Sequence, residues 1–266
     1  MKILIIGDIH GRLCWLDIIQ KEQPDLTIFL GDYVSTHDNI SSEQQLSNLE
    51  DILNYKEENP DKVVLLRGNH DIQHLGYYWA ECSGWNGKVW HHMSQKDFIE
   101  RFLSLTQWIY RIPDTNMVCS HAGISEVWLK AVKEHLISEG VIKSDDSETI
   151  SVDALLDLIN TIEPCELFAF TPCKMSDYYG DSATQPCTWI RPSALAYHGL
   201  KEIAHIVGHT PVAHINNLHN EAFIKHGFPE DGPDIWCCDC LANGEYLVIE
   251  SGKLTPGKLN ESGREP

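Results

Sequence analysis

Five runs of branched apolar residues each stop on a polar side chain: ILIIG before Asp8, LTIFLG before Asp32, VVLLRG before Asn69, NMVCS before His121 and IAHIVG before His209. Runs of this length and composition predict buried strands. The first three fall at residues 2–6, 26–30 and 62–67, and the stretches between them, 12–22 and 42–58, predict helices. A βαβαβ order implies an α/β fold with a parallel sheet and right-handed crossovers. In open α/β sheets ligands bind at the carboxyl ends of strands, so the five polar stops are expected to meet at one site.

Past residue 71 the pattern changes. Residues 72–112, with Tyr77, Tyr78, Trp79, Trp85 and Trp90, predict an insertion outside the sheet, containing an amphipathic stretch from Ser94 to Leu105. Helices are predicted around 125–138 and 151–161, and a second irregular insertion at about 164–192. Short strands at 203–207, 212–216, 234–238 and 245–250 lie close enough together to predict an antiparallel second sheet. The polar, Gly- and Pro-containing stretch 252–266 predicts a loosely held tail. No polar gap divides the apolar pattern, so residues 1–251 are taken as one domain.

A net charge of −19 disfavours nucleic acid polymers and anionic membranes, both of which need neutralising Lys and Arg. A phosphate-bearing substrate would then depend on bound cations. The nine cysteines are scattered and odd in number, which points to the reducing cytoplasm. The apolar start MKILII ends too soon for a signal sequence, and no later stretch is long enough to span a bilayer. Cys237, Cys238 and Cys240 cluster, and read as thiols of a buried strand rather than as a soft-metal site.

Asp8 and His10 stand on alternate residues and can share one cation. Asp32 ends the next strand, and a carboxylate, unlike an imidazole, can bridge two cations. Asn69, His121 and His209 would complete the second. Taken singly these residues are ordinary: a lone Asp after a strand is usually a turn or cap, and a lone His a satisfied side chain. It is their joint occurrence at five strand ends that carries weight. Oxygen and imidazole ligands without thiolate suit manganese, iron or zinc.

The segments GDIHG at 7–11, GDYV at 31–34, LLRGNHD at 65–71, SHAG at 120–123 and GHT at 208–210 resemble those of the calcineurin-like metallophosphoesterases. Arg67 before Gly-Asn-His, and Pro211 after GHT, resemble the branch of serine/threonine phosphoprotein phosphatases and bacterial diadenosine tetraphosphatases. The resemblance runs from residue 2 to about 250, outside the two insertions. It implies a two-sheet β-sandwich flanked by helices, with the insertions over the active site. It also implies two divalent ions, manganese first, with iron, zinc or nickel as alternatives. Asp8, His10 and Asp32 would hold one, and Asp32, Asn69, His121 and His209 the other. A water activated between ions about 3.5–4 Å apart would attack phosphorus. His70 would be the general acid, and Arg67 and Arg191 would bind the phosphate beside Asn69.

The implied substrate is a phosphomonoester, phosphoprotein Ser/Thr included. The alternatives are a dinucleoside polyphosphate hydrolase and a metal-binding scaffold with little turnover. One departure stands out. That branch continues GDYV with Asp-Arg-Gly, in which the Asp orients the catalytic histidine and the Arg binds phosphate, whereas Ser35, Thr36 and His37 follow here. By proximity in sequence, Asp38 is the candidate to orient His70 and His37 the candidate to contact phosphate. Asp239 loosely resembles a supporting carboxylate of bacterial members. The aromatics at 77–85 form either a base-stacking wall or the insertion's own small core.

Overall fold

The apolar runs become strands of two sheets. The structure is a computed structural model that describes residues 1–36, 38–143, 145, 148–170, 181–225 and 227–259. In chain order the strands are β1 (Lys2–Ile6), β2 (Leu26–Phe29), β3 (Val63–Leu66), β4 (Thr106–Gln107), β5 (Ile109–Arg111), β6 (Met117–Ser120), β7 (Ala204–Val207), β8 (Asn216–Asn217), β9 (Asp234–Cys237), β10 (Glu245–Glu250) and β11 (Lys253–Lys258). The helices are α1 (Trp15–Glu22), α2 (Ser42–Glu58), α3 (Asn69–Ile72), α4 (Gly87–Met93), α5 (Lys96–Leu105), α6 (Glu126–Ser138), α7 (Val152–Ile159), α8 (Pro192–His198) and α9 (Glu221–Lys225). One sheet runs β11-β10-β1-β2-β3-β4 and the other β5-β6-β7-β9-β8.

Alternation along each strand assigns its side chains to two cores. Leu4 and Ile6 of β1 pack under the helices with Trp15, Ile18, Leu49 and Ile52. Ile3 and Ile5 face the other way, into a core between the sheets that includes Cys119, Ile206 and Leu247. Val118 of β6 looks outward onto α6 and α7, against Trp128, Val132, Leu155 and Leu156. The result is a mixed α/β fold of two stacked sheets flanked by helices. Each fully buried side chain of this size contributes roughly 1.5–3 kcal/mol. Serine hydroxyls at 41, 125 and 151 accept backbone N–H groups at the starts of α2, α6 and α7, which sets where those helices begin.

The second half departs from the predicted pattern. The second sheet is mixed rather than antiparallel: β6 pairs in parallel with β7, and β7 with β9, while β5 and β8 are its antiparallel edges. The strand predicted at 212–216 reduces to Asn216–Asn217. β10 leaves that sheet and runs antiparallel to β1. Local spacing cannot reveal such a pairing, because its partner lies more than two hundred residues away. The stretch 72–112 is not wholly outside the sheets, since β4 extends the first and β5 edges the second. Lys253–Lys258, placed by its polarity in a loose tail, is a strand on β10. Its Pro256 fits an edge strand, where a missing N–H leaves no bond unmade. Residues 260–266 and part of the second insertion, 171–180, lie outside the described residues.

Candidate metal centre

β1, β2 and β3 run parallel in one sheet and β6 and β7 in the other, and their five carboxyl ends meet. Asp8, His10 and Asp32 form one group of donor atoms within 4.8 Å of one another, and Asp32, His121 and His209 form a second. Asp32 belongs to both. His10 Nε2 lies 3.9 Å from Asp8 Oδ2 and 4.0 Å from Asp32 Oδ2, and His121 Nε2 lies 3.4 Å from Asp32 Oδ2. Asn69 Oδ1 sits between the other two rings, 3.0 Å from His121 Nε2 and 2.9 Å from His209 Nδ1.

Backbone carbonyls aim the three imidazoles. A carbonyl only accepts, so His10 Nδ1–H donates to Val34 O (3.0 Å) and His121 Nδ1–H to Leu30 O (2.8 Å), which turns both Nε2 atoms inward. His209 is reversed: its Nε2–H donates to Trp189 O (3.1 Å), and Nδ1 faces the site. Three of these residues, His10, Asp32 and His209, have φ of 46°, 51° and 62°. A non-glycine residue in that region costs about 1–3 kcal/mol, and such residues concentrate at functional sites. Glycines make room beside the carboxylates. A Cβ at Gly68 would collide with Asp32 Oδ1, and one at Gly208 with Asp8 Oδ1.

The electrostatics are those of buried acids crowded together. Burial, with Asp239 and Asp32 nearby, pushes the Asp8 carboxyl well above its usual range. Burial would raise Asp32 as well, but His121, His70 and His10 outweigh it and hold this carboxyl low. His121 is the counterpart: burial opposes its charge, yet Asp32 and Asp8 lift it to about 10. Burial and the neighbouring Arg191 push His209 well below its ordinary value. An oxygen and imidazole donor set with no thiolate, inward-turned ring nitrogens and clustered buried acids fits divalent cations of the manganese, iron and zinc type.

His70 borders this centre. Its backbone N–H donates to Asp32 Oδ1 (2.9 Å), its ring lies edge-on to His10 with centroids 5.5 Å apart, and burial lowers it to about 4. Arg191, at the N-terminal boundary of α8, donates Nη1–H to His209 O (3.0 Å) and Thr210 Oγ1 (3.1 Å). Asp239, largely buried, adds negative charge beside Asp8.

Arg67 is elsewhere. Its guanidinium donates to Thr106 Oγ1 (2.9 Å), Leu103 O (2.9 Å) and Thr106 O (2.7 Å) and stacks on Trp108, 4.7 Å from the ring centroid. The phosphate fork expected of it is committed to joining α5 to β4. Asp38 does not reach His70 and pairs with Arg12 at 2.5 Å. His37 lies outside the described residues. Tyr77 stacks on Trp79, both pack against the core under α6 and α7, and Tyr78 donates to Glu166. Cys237, Cys238 and Cys240 are buried free thiols.

Asp71 and Gln73 are two further residues that shape the site. Asp71 is fully buried and accepts the backbone N–H groups of Asp32, Tyr33 and Gly68 at 2.7–2.9 Å, clamping two ligand-bearing loops together. Burial and the neighbouring Asp32 raise it to about 8. Its signal was its place at the end of LLRGNHD, three residues after Gly68, where a carboxylate reaches back to the first N–H of a helix. Gln73 carried no signal at all.

The sequence matches the profile of the calcineurin-like phosphoesterases over residues 1–213. The chain belongs to that family. It is a metal-dependent phosphoester hydrolase. Among solved structures, this calcineurin-like phosphoesterase is similar to a cold-active protein-tyrosine phosphatase of the psychrophile Shewanella sp., with a TM-score of 0.56 and 18% identity over 97% of this chain and 77% of the other. It is also similar to a protein serine/threonine phosphatase from Saccharomyces cerevisiae, with a TM-score of 0.53 and 13% identity over 98% of this chain and 81% of the other. At these identities the likeness is one of fold. Among the described residues no helix is long and apolar enough to cross a membrane.

Proposed function

We propose that the chain hydrolyses a phosphomonoester at a two-cation centre that shares Asp32. The observation that carries this reading is the membership of Asp32 in both donor groups, because a shared carboxylate holds two cations close enough to act on one phosphoryl group. Asp8, His10 and Asp32 would hold one cation, and Asp32, Asn69, His121 and His209 the other. Divalent ions held there supply Lewis acidity toward the phosphoryl oxygens and a water nucleophile at neutral pH. Manganese is the first choice, with iron, zinc and nickel as alternatives. The reducing cytoplasm is the compartment this reading assigns.

The protein's own groups do the rest. Arg191 presents a guanidinium, anchored through Nη1, to the substrate's phosphoryl oxygens. His70 directs an N–H at the leaving oxygen. The acidic surface repels a polynucleotide backbone, so the substrate is a small phosphorylated molecule, a nucleotide or a phosphoprotein.

The test is a substrate panel. Chain stripped of metal and reloaded with manganese is offered p-nitrophenyl phosphate, phosphoserine peptide and diadenosine tetraphosphate. Turnover of the first two, abolished by chelation, is the expected result. Hydrolysis of diadenosine tetraphosphate alone would contradict the monoesterase reading, and inactivity on all three would support a metal-binding scaffold.

A further inference from the structure

Gln73 is buried one turn beyond His70, at the interval that brings two side chains of a helical turn together. Its Oε1 accepts the backbone N–H of Cys82 at 3.1 Å, and its Nε2 lies 3.3 Å from the carbonyl oxygen of Ser83. A backbone amide can only donate and a backbone carbonyl can only accept, so these two contacts fix which end of the side-chain amide is which. The NH2 end, whose two hydrogens are shared among three neighbours, then faces Ser35 Oγ and His70 Nδ1, both at 3.2 Å, besides the Ser83 carbonyl. Two donors cannot face each other across such a distance. His70 Nδ1 therefore presents its lone pair, and the ring proton resides on Nε2.

We propose that Gln73 is the positioning residue of His70. It holds the ring in one orientation and fixes the Nε2-protonated tautomer. The inference rests on the phosphoesterase reading for its consequence but not for its geometry. Among the described residues no carboxylate lies within ion-pairing distance of His70 Nδ1. Asp38 is paired with Arg12, and the oxygens of Asp71 are taken by three backbone N–H groups. The other neighbour of Nδ1 is Cys82 Sγ at 3.8 Å, a weak donor and weak acceptor whose S–H also lies within reach of Asn69 O at 3.9 Å. The segment that fixes the amide also closes over the ring: a Cβ at Gly84 would stand 3.6 Å from His70 Cε1. Ser35 and the 82–84 segment thus hold Gln73, and Gln73 holds His70.

Two readouts test this on the full chain loaded with zinc, which is diamagnetic. With 15N-labelled histidine, and His70→Asn to identify the signal, His70 of the wild type should show an unprotonated Nδ1 and a protonated Nε2. In Gln73→Glu the new carboxylate accepts from Nδ1, and the proton pattern should reverse. In kinetics, Gln73→Ala should lose about tenfold or more on a phosphoserine peptide beyond its loss on p-nitrophenyl phosphate: the neutral ring's Nε2–H hydrogen-bonds the developing alkoxide, which then takes its proton from solvent, whereas nitrophenolate needs little such help. A merely structural role would lower both alike. A protonated Nδ1 in the wild type overturns the proposal whatever the activity, and so does an equal loss on the two substrates. Failure of the wild type to turn over either substrate overturns the phosphomonoesterase reading instead, and the tautomer then decides the role of Gln73.

Discussion

His121 donates its Nδ1–H to the carbonyl oxygen of Leu30 at 2.8 Å, tying the end of β6 to the end of β2 across the two sheets. The bond leaves Nε2 facing Asp32, which makes proton and cation competitors for one nitrogen. In the metal-free chain Asp32 and Asp8, overcoming burial, keep the His121 proton on up to about 10. The unfolded chain loses it near 6.5. Its stabilising contribution is complete below about pH 6.5 and is lost as pH climbs toward 10. Cation binding at Nε2 requires that proton to leave, so it strengthens over the same range. The rise in Tm on adding manganese should therefore grow from about pH 6.5 to 8.5, as followed by thermal unfolding with and without metal. A rise that is flat or shrinks would contradict this arrangement.

Arg67 and Arg191 should separate cleanly. Arg67→Ala strips donors from buried carbonyls beside Trp108, at a cost of about 1–3 kcal/mol, and should lower Tm while leaving KM unchanged. Arg191→Ala removes a cation next to the centre and should lower kcat/KM by about ten- to a hundredfold, the worth of a charge-assisted bond. Steady-state kinetics beside a melting curve for each variant checks both. A raised KM in Arg67→Ala would return that residue to the substrate.

Asp71→Ala should be among the most destabilising single changes near the site. It leaves three buried backbone N–H groups without an acceptor, each costing about 1–3 kcal/mol. Denaturant unfolding of the metal-free variant isolates this loss from any loss of metal. Stability within about 1 kcal/mol of the wild type would mean that the loops ending in Asp32 and Asn69 hold themselves.

These residues also show what the sequence could carry. The strand ends at Asp8, Asp32, Asn69, His121 and His209 were legible because a buried parallel strand writes itself as an apolar run, and its last residue is marked by the break. Arg67 sat inside a motif, but a motif does not say which way a long side chain points, and Trp108 decided that from elsewhere in the chain. Gln73 was invisible because a neutral amide leaves no mark in charge or hydropathy, and its meaning depends on the backbone of Cys82 and Ser83. β10 joined the first sheet through a pairing too distant in sequence to read. β11 was hidden by its polarity, since an edge strand is held by backbone bonds rather than by apolar burial.

The shared carboxylate is the centre of the account, and metal content tests it most directly. Wild type and Asp32→Asn are loaded with manganese, freed of excess ion by gel filtration and analysed together for metal per chain. Two ions in the wild type, and fewer than one in the variant, are the results predicted from the two donor groups that meet at Asp32. A wild type that holds a single ion, or an Asp32→Asn chain that keeps two, would contradict it.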